Sequence, residues 1–178
     1  DEDLTEVSSR GILLRHKKTG ARVALILNDD DNKTFCIAFK TPVTDSTGVP
    51  HIIEHSVLAG SEKYPVKDPF MELAKGSLNT FLNAMTSSDF TMYPVASCND
   101  KDFNNLMGVY MDAVLCPLIY KRPEIFRQEG IRIEVDENTG ELSYNGVVYN
   151  EMKGALSSPE RLLYQNIQHA ILPDTTYS

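Results

Sequence analysis

Five consecutive residues, His51-Ile-Ile-Glu54-His55, constrain this chain more than any other stretch. In a helix, at about 100° per residue, His51, Glu54 and His55 fall at roughly 0°, 300° and 40°, within one narrow arc. Ile52, Ile53 and Val57 fall on the opposite side and are expected to anchor the helix to a core. Two imidazoles one turn apart can hold one divalent ion. A carboxylate in the same arc is placed to take a proton from water on that ion. The competing reading is a surface helix that carries these residues by chance. With four His in the whole chain, two of them at this spacing around a Glu make coincidence the weaker reading. The stretch reads as the ligand and base set of a zinc hydrolase, with His51 and His55 as ligands and Glu54 as base.

The pattern H-x-x-E-H is the inverzincin signature. Composition sets the frame for it. A chain of 178 residues is about one domain and can bury a sizeable core. No apolar run approaches 18 residues, so nothing is expected to span a membrane. The first residue is Asp1, so a missing targeting segment says little about compartment. The net charge of −8, with no Lys/Arg cluster longer than a pair, argues against nucleic acid as a partner. Cys36, Cys98 and Cys116 are odd in number, contain no C-x-x-C pair and sit in apolar neighbourhoods. They are expected to be small core residues in a soluble, reducing compartment, neither ligands nor nucleophiles.

Along the chain, residues 1–9 are expected to be a loose lead-in. Gly11–Arg15 and Ala21–Leu27 read as strands joined by the turn His16–Gly20, with His16 solvated. Thr34–Phe39 is almost continuously apolar, as for a central strand buried on both faces. Thr44–Pro50 should cap the His51 helix and Gly60 close it. Asp68-Pro69 opens a short helix ending at Gly76. Leu78–Thr86 and Thr91–Cys98 suggest a hairpin, and Asn99–Asp102 cap a long helix with Phe103, Leu106, Met107, Tyr110, Met111 and Val114 on its core face. A short helix at Arg122–Gln128, strands at Ile131–Val135 and Glu141–Tyr144, and helix from Val147 to Ile171 broken near Pro159 complete the pattern. The expected class is α+β, an antiparallel-rich sheet layered with helices. The end at Tyr177-Ser178 carries no stop signal, so a larger protein is expected, with the domain incomplete at its C-terminus.

A catalytic zinc usually has three protein ligands. Most downstream acids, Glu129 and Glu134 among them, have an ordinary surface explanation. Glu151 stands apart because Val148, Met152 and Ala155 share its stripe, which points it inward. An inward carboxylate needs a partner, either a metal ion or an ion pair with Lys153 or an Arg.

Four blocks, in order, carry a family resemblance: Gly48–Gly60, Lys75–Thr86, Tyr93–Ser97 and Asn150–Gly154. Together they resemble the M16 metallopeptidases, most of all the branch of presequence proteases and falcilysin, over nearly the whole chain. The resemblance implies one zinc per chain held by His51, His55 and Glu151, with Glu54 as general base. The long gap from His55 to Glu151 suits that branch. The shorter gap of the insulin-degrading and pitrilysin branch would land near Arg132, which cannot serve. Those relatives also carry a second acid seven residues before the third ligand; here that place is Tyr144.

The resemblance further implies residues 1–178 as the first, catalytic domain of a longer protease, truncated here, whose C-terminal half closes around short unstructured peptides. An extended peptide would add as a strand to the backbone of Asn83, Ala84, Met85 and Thr86. The plainer reading is that Asn83 and Thr86 merely blunt an exposed edge; both readings require a free edge, so they are not exclusive. Two other readings compete with a zinc endopeptidase. One is a non-catalytic scaffold subunit, whose expected mark is a degraded H-x-x-E-H. The other is a piece that binds zinc yet is inactive without its second half.

Overall fold

The computed structural model describes residues 1–177 and divides them into two compact units, Asp1–Asn32 and the chain from Lys33 onward. The first unit is a three-stranded antiparallel meander of β1 (Glu2–Leu4), β2 (Ser9–Arg15) and β3 (Arg22–Leu27). The turn at 16–20 forms as expected: Gly20 adopts φ +75° and donates to the His16 carbonyl, while the exposed His16 ring meets Thr19 Oγ1 at 2.7 Å. The acidic lead-in is not loose. Glu2, Asp3 and Leu4 pair in register with Gly11, Arg10 and Ser9, and Asp1 forms an ion pair with Arg10.

The second unit is α+β. Its main sheet runs β4 (Lys33–Lys40), β7 (Phe90–Ser97), then β5 (Asn79–Leu82), with the two-residue β6 (Met85–Thr86) also on β7. All pairs are antiparallel, and a register shift interrupts β5 between Asn79 and Phe81. The strand buried on both faces is β7, not β4. From Tyr93 to Ser97 every β7 residue is buried: β4 and β5 hold its two edges, and Val57, Leu106 and Tyr110 of the neighbouring helices pack on Tyr93 and Val95. In the edge strand β4, Phe35 and Ile37 face the core while Thr34, Cys36 and Ala38 are exposed. The expectation of buried cysteines fails as well. Cys36 lies on that open face, Cys98 just past the end of β7 is exposed, and Cys116 is half-buried.

The core gathers Val57, Tyr93, Val95, Leu106 and Tyr110, with Phe35, Ile37, Leu82 and Val114 packed around them. Its helices start where the residue types demand. Asn99 caps α3 (Asp100–Leu115) by accepting from the Asp102 N–H, and Asp68 caps α2 (Pro69–Gly76) by accepting from the Met71 N–H. The buried stripe of α3 is Leu106, Val109, Tyr110 and Ala113, so Phe103, Met107, Met111 and Val114 flank it, half-buried. The helix α1 (Val49–Val57) departs from the expected caps. Its N-cap is Gly48 at φ +72° with no side-chain cap, and it ends at Val57, before Gly60. Gly60, at φ +120°, serves the following turn, where an added Cβ would lie 2.9 Å from the Val66 carbonyl oxygen.

Downstream come α4 (Glu124–Glu129), the hairpin β8 (Arg132–Val135) and β9 (Leu142–Asn145), α5 (Val147–Ala155) and α6 (Pro159–Ile171). The helix break falls before Pro159, with Ser158 as N-cap. One backbone junction positions this region. A Cβ on Gly146, the residue before α5, would overlap the Gly130 carbonyl group that follows α4. A Cβ on Gly130 would in turn press on Ile52 of α1 at 3.1 Å. Only glycine lets the ends of α4 and α5 close on α1 in this way. Gly146→Ala is therefore expected to destabilise the fold by about 1–3 kcal/mol, a typical cost of overpacking, read as a lower urea midpoint. A change below about 0.5 kcal/mol, the range of an indifferent surface substitution, would show that this contact does not position α5.

Candidate metal centre

The helix α1 is buried on more than one side. Ile52 and Val57 anchor it to the core, and Glu54 and Ser56 are buried too. Ser56 Oγ donates to the Ile52 carbonyl at 2.6 Å, which satisfies it without a tertiary partner. Ile53, expected in the core, is 37% exposed and borders an apolar groove with Phe39, Tyr120 and Phe126. The turn geometry of the five-residue stretch accounts for both outcomes. The imidazole arc opens to a cleft on one side, and Ile53 is left on the far side.

The cleft has a volume of about 560 Å³. His51, Glu54 and His55 line it from α1, Gln128 and Glu129 from the end of α4, Val147 and Glu151 from α5. Asn83 and Ala84, which link β5 to β6, border it as well, with Asp68, Phe70 and Met71. Its centre is one carboxylate oxygen. Glu151 Oε2 lies 3.5 Å from His51 Nε2 and 3.5 Å from His55 Nε2. All three ligand-type atoms fall within 4.8 Å of one another, and the two rings meet edge-on with centroids 5.0 Å apart. Glu151 is not turned into the core as its apolar stripe implied. Its side chain is 50% exposed, since only Val148 of α5 is buried and Met152 stays open. The carboxylate reaches the histidines across the cleft wall.

These residues fit a metal ion. Donor atoms held tetrahedrally at about 2.1 Å from a zinc lie about 3.4 Å from each other, close to the 3.5 Å found on both Glu151 edges. A second observation points the same way. Glu54 is 6% exposed, and its Oε2 is buried with no hydrogen-bond partner among the described residues. A buried, unpaired carboxylate oxygen is costly unless a donor or cation completes it. Glu54 also bears on Tyr93 beneath it: burial first, then the Glu54 charge, push the Tyr93 phenol far above its usual range and keep it neutral.

Glu129 is the residue that sequence reasoning left on the surface. It is 8% exposed, and its Oε2 lies 3.5 Å from His55 Nδ1, on the ring edge away from Glu151. The available signal was Ile125 four residues earlier, also buried, which marks the inner face of α4. No second acid occupies position 144, where the exposed Tyr144 lies on β9.

A family model described as "Insulinase (Peptidase family M16)" matches residues 43–165, which include the cleft's His, Glu and Asn contributors. The chain belongs to peptidase family M16. Protein HypA of Clostridium perfringens is 60% identical to this M16 chain over 99% of its length. Presequence protease 1, chloroplastic/mitochondrial, of Arabidopsis thaliana is 53% identical over 99%, and the mouse mitochondrial presequence protease 48% over 97%. The chain spans only 16–18% of the length of these relatives. Among solved structures, pitrilysin superposes with a TM-score of 0.67 over 95% of this chain and 16% of its own, at 20% identity, a likeness of fold.

His55 of this M16 chain carries a raised pKa. Its contact with Glu129 is the largest cause; burial opposes it, and the charges of Glu151 and Glu54 add to it. A protonated His55 therefore stabilises the metal-free fold. That contribution is complete below the usual imidazole value of 6.5 and is lost as pH rises through the folded value. An NMR titration of the metal-free chain should find His55 above 6.5. A value at or below it would contradict this account of the cleft.

Proposed function

We propose that this chain is the catalytic, metal-binding first domain of a zinc-dependent endopeptidase that hydrolyses short, unstructured peptides such as cleaved targeting peptides. The observation that carries the reading is the convergence of His51, His55 and Glu151, with the buried Glu54 beside them. Family membership and the presequence proteases among the relatives support the peptide substrate. No helix among the described residues is long and apolar enough to cross a membrane.

His51 and His55 would hold the zinc through Nε2 and Glu151 through Oε2, one ion per chain. When bound, zinc supplies Lewis-acid chemistry, polarising the scissile carbonyl and making water more acidic. The chain's own residues do the rest. Glu54 accepts the proton of the attacking water at its unpartnered Oε2 and returns it to the leaving amine. Its burial keeps that oxygen poised and free of competing donors. Asn83 and Ala84 border the cleft, and Met85 and Thr86 continue from them along a sheet edge, because among the described residues β5 and β6 pair only with β7. A peptide can extend that edge as an added strand. The Asn83 N–H already donates to Pro94, so pairing falls to the groups on the outer side.

The share of the relatives' length favours a second reading, in which the chain binds zinc but turns over slowly because the part that encloses a peptide lies elsewhere. Glu54→Gln is expected to keep one zinc and lose roughly 10²–10⁴-fold in hydrolysis of an unstructured peptide. Glu151→Gln is expected to lose the metal itself. Metal analysis beside a quenched-peptide assay checks both. Equal activity in the Glu54 variant removes it as base, and unchanged metal in the Glu151 variant removes the third ligand. Zinc in wild type with little hydrolysis would favour the second reading.

A further inference from the structure

Glu129 occupies a place that ordinary helix energetics disfavours. It is the last residue of α4, where a negative charge opposes the helix dipole, and its side chain is only 11% exposed. Its Oε1 accepts from the neutral Gln128 amide at 3.3 Å, which leaves Oε2 facing His55 Nδ1 at 3.5 Å. The junction at Gly130 presses this end of α4 onto Ile52, one turn before Ser56 on the same helix as His55, so the carboxylate cannot swing away freely. The His55 ring thus has a carboxylate at each nitrogen, Glu129 at Nδ1 and Glu151 at Nε2.

We propose that Glu129 is the positioning residue of this centre: it accepts the Nδ1–H of His55, fixes that tautomer and turns the Nε2 lone pair into the cleft. The proposal rests on the metal reading above. Carboxylates behind metal-binding histidines act in this way generally, and their loss weakens metal affinity roughly 10–100-fold. A 3.5 Å contact is long for a hydrogen bond, as catalytic contacts often are before a ligand tightens them. Here the role comes from α4, well separated in sequence from both the H-x-x-E-H stretch and Glu151.

The test uses the 178-residue chain with zinc ion as the probe, in wild type, Glu129→Gln and Glu129→Ala. Competition with a chelator should show zinc binding weakened roughly 10–100-fold in Glu129→Ala and less in Glu129→Gln, which retains an acceptor oxygen. Nitrogen-15 NMR of the metal-free chain, above the His55 titration, should show the Nδ1–H tautomer in wild type, a shift toward Nε2–H in Glu129→Ala and a smaller shift the same way in Glu129→Gln, whose neutral oxygen is a weaker acceptor. A purely structural role would lower the unfolding midpoint without moving the tautomer. If Glu129→Ala does not fold, the isosteric Gln variant and its tautomer decide. Wild-type zinc affinity and tautomer in the folded variants would overturn the proposal while leaving the metal reading intact. Absence of zinc binding in wild type would instead overturn both.

Discussion

The site depends on a backbone contact that no side chain makes. Gly146 lies against the Gly130 carbonyl, and Gly130 lies against the Ile52 side chain, so the end of α4 and the start of α5 close together onto the middle of α1. The Tyr149 N–H reaches the Gly130 carbonyl at 3.4 Å and reinforces the junction. From there α5 needs little more than one turn to deliver Glu151 to the two imidazoles. Two residues far apart in sequence thereby meet over a distance that side-chain packing alone would leave loose.

Electrostatics then sets what the cleft can hold. Glu54, Glu129 and Glu151 crowd two imidazoles, and Lys67 supplies positive charge among the lining residues from an exposed position. Such an arrangement favours a cation, whether a proton on His55 or a metal ion between His51, His55 and Glu151. The two compete for the same ring nitrogen, so metal occupancy and imidazole protonation must oppose each other. Burial differentiates the acids: Glu54 is enclosed and unpaired at Oε2, Glu129 enclosed against His55, and Glu151 half-open to solvent. Three carboxylates of one residue type thus face the cleft in three different environments.

Local signals in the sequence are enough to place the caps at Asn99 and Asp68, the 16–20 turn and the break at Pro159, because caps, glycines and prolines act within a few residues, whereas the expected caps of α1 do not form. Strand rank was not local. Thr34–Phe39 and Phe90–Ser97 are both apolar, and which becomes central depends on Asn79–Leu82 pairing with the second. That single fact misplaced Cys36. Glu129 escaped notice because a lone acid at the end of a six-residue helix looks like any surface acid until α1 packs over it. Glu151 was identifiable by its stripe and by family resemblance, yet its exposure was not, since the stripe overstated how much of α5 is covered. The exposed face of β4 and the apolar groove beside Ile53 show that hydrophobic pattern alone does not say which faces a fold covers.

The most direct measurement is an anomalous-scattering map of the chain crystallised with zinc. The account requires one peak per chain, with His51 Nε2, His55 Nε2 and a Glu151 carboxylate oxygen each within about 2.0–2.2 Å of it. A map with no peak between these residues, or with the ion bound away from Glu151, would contradict it.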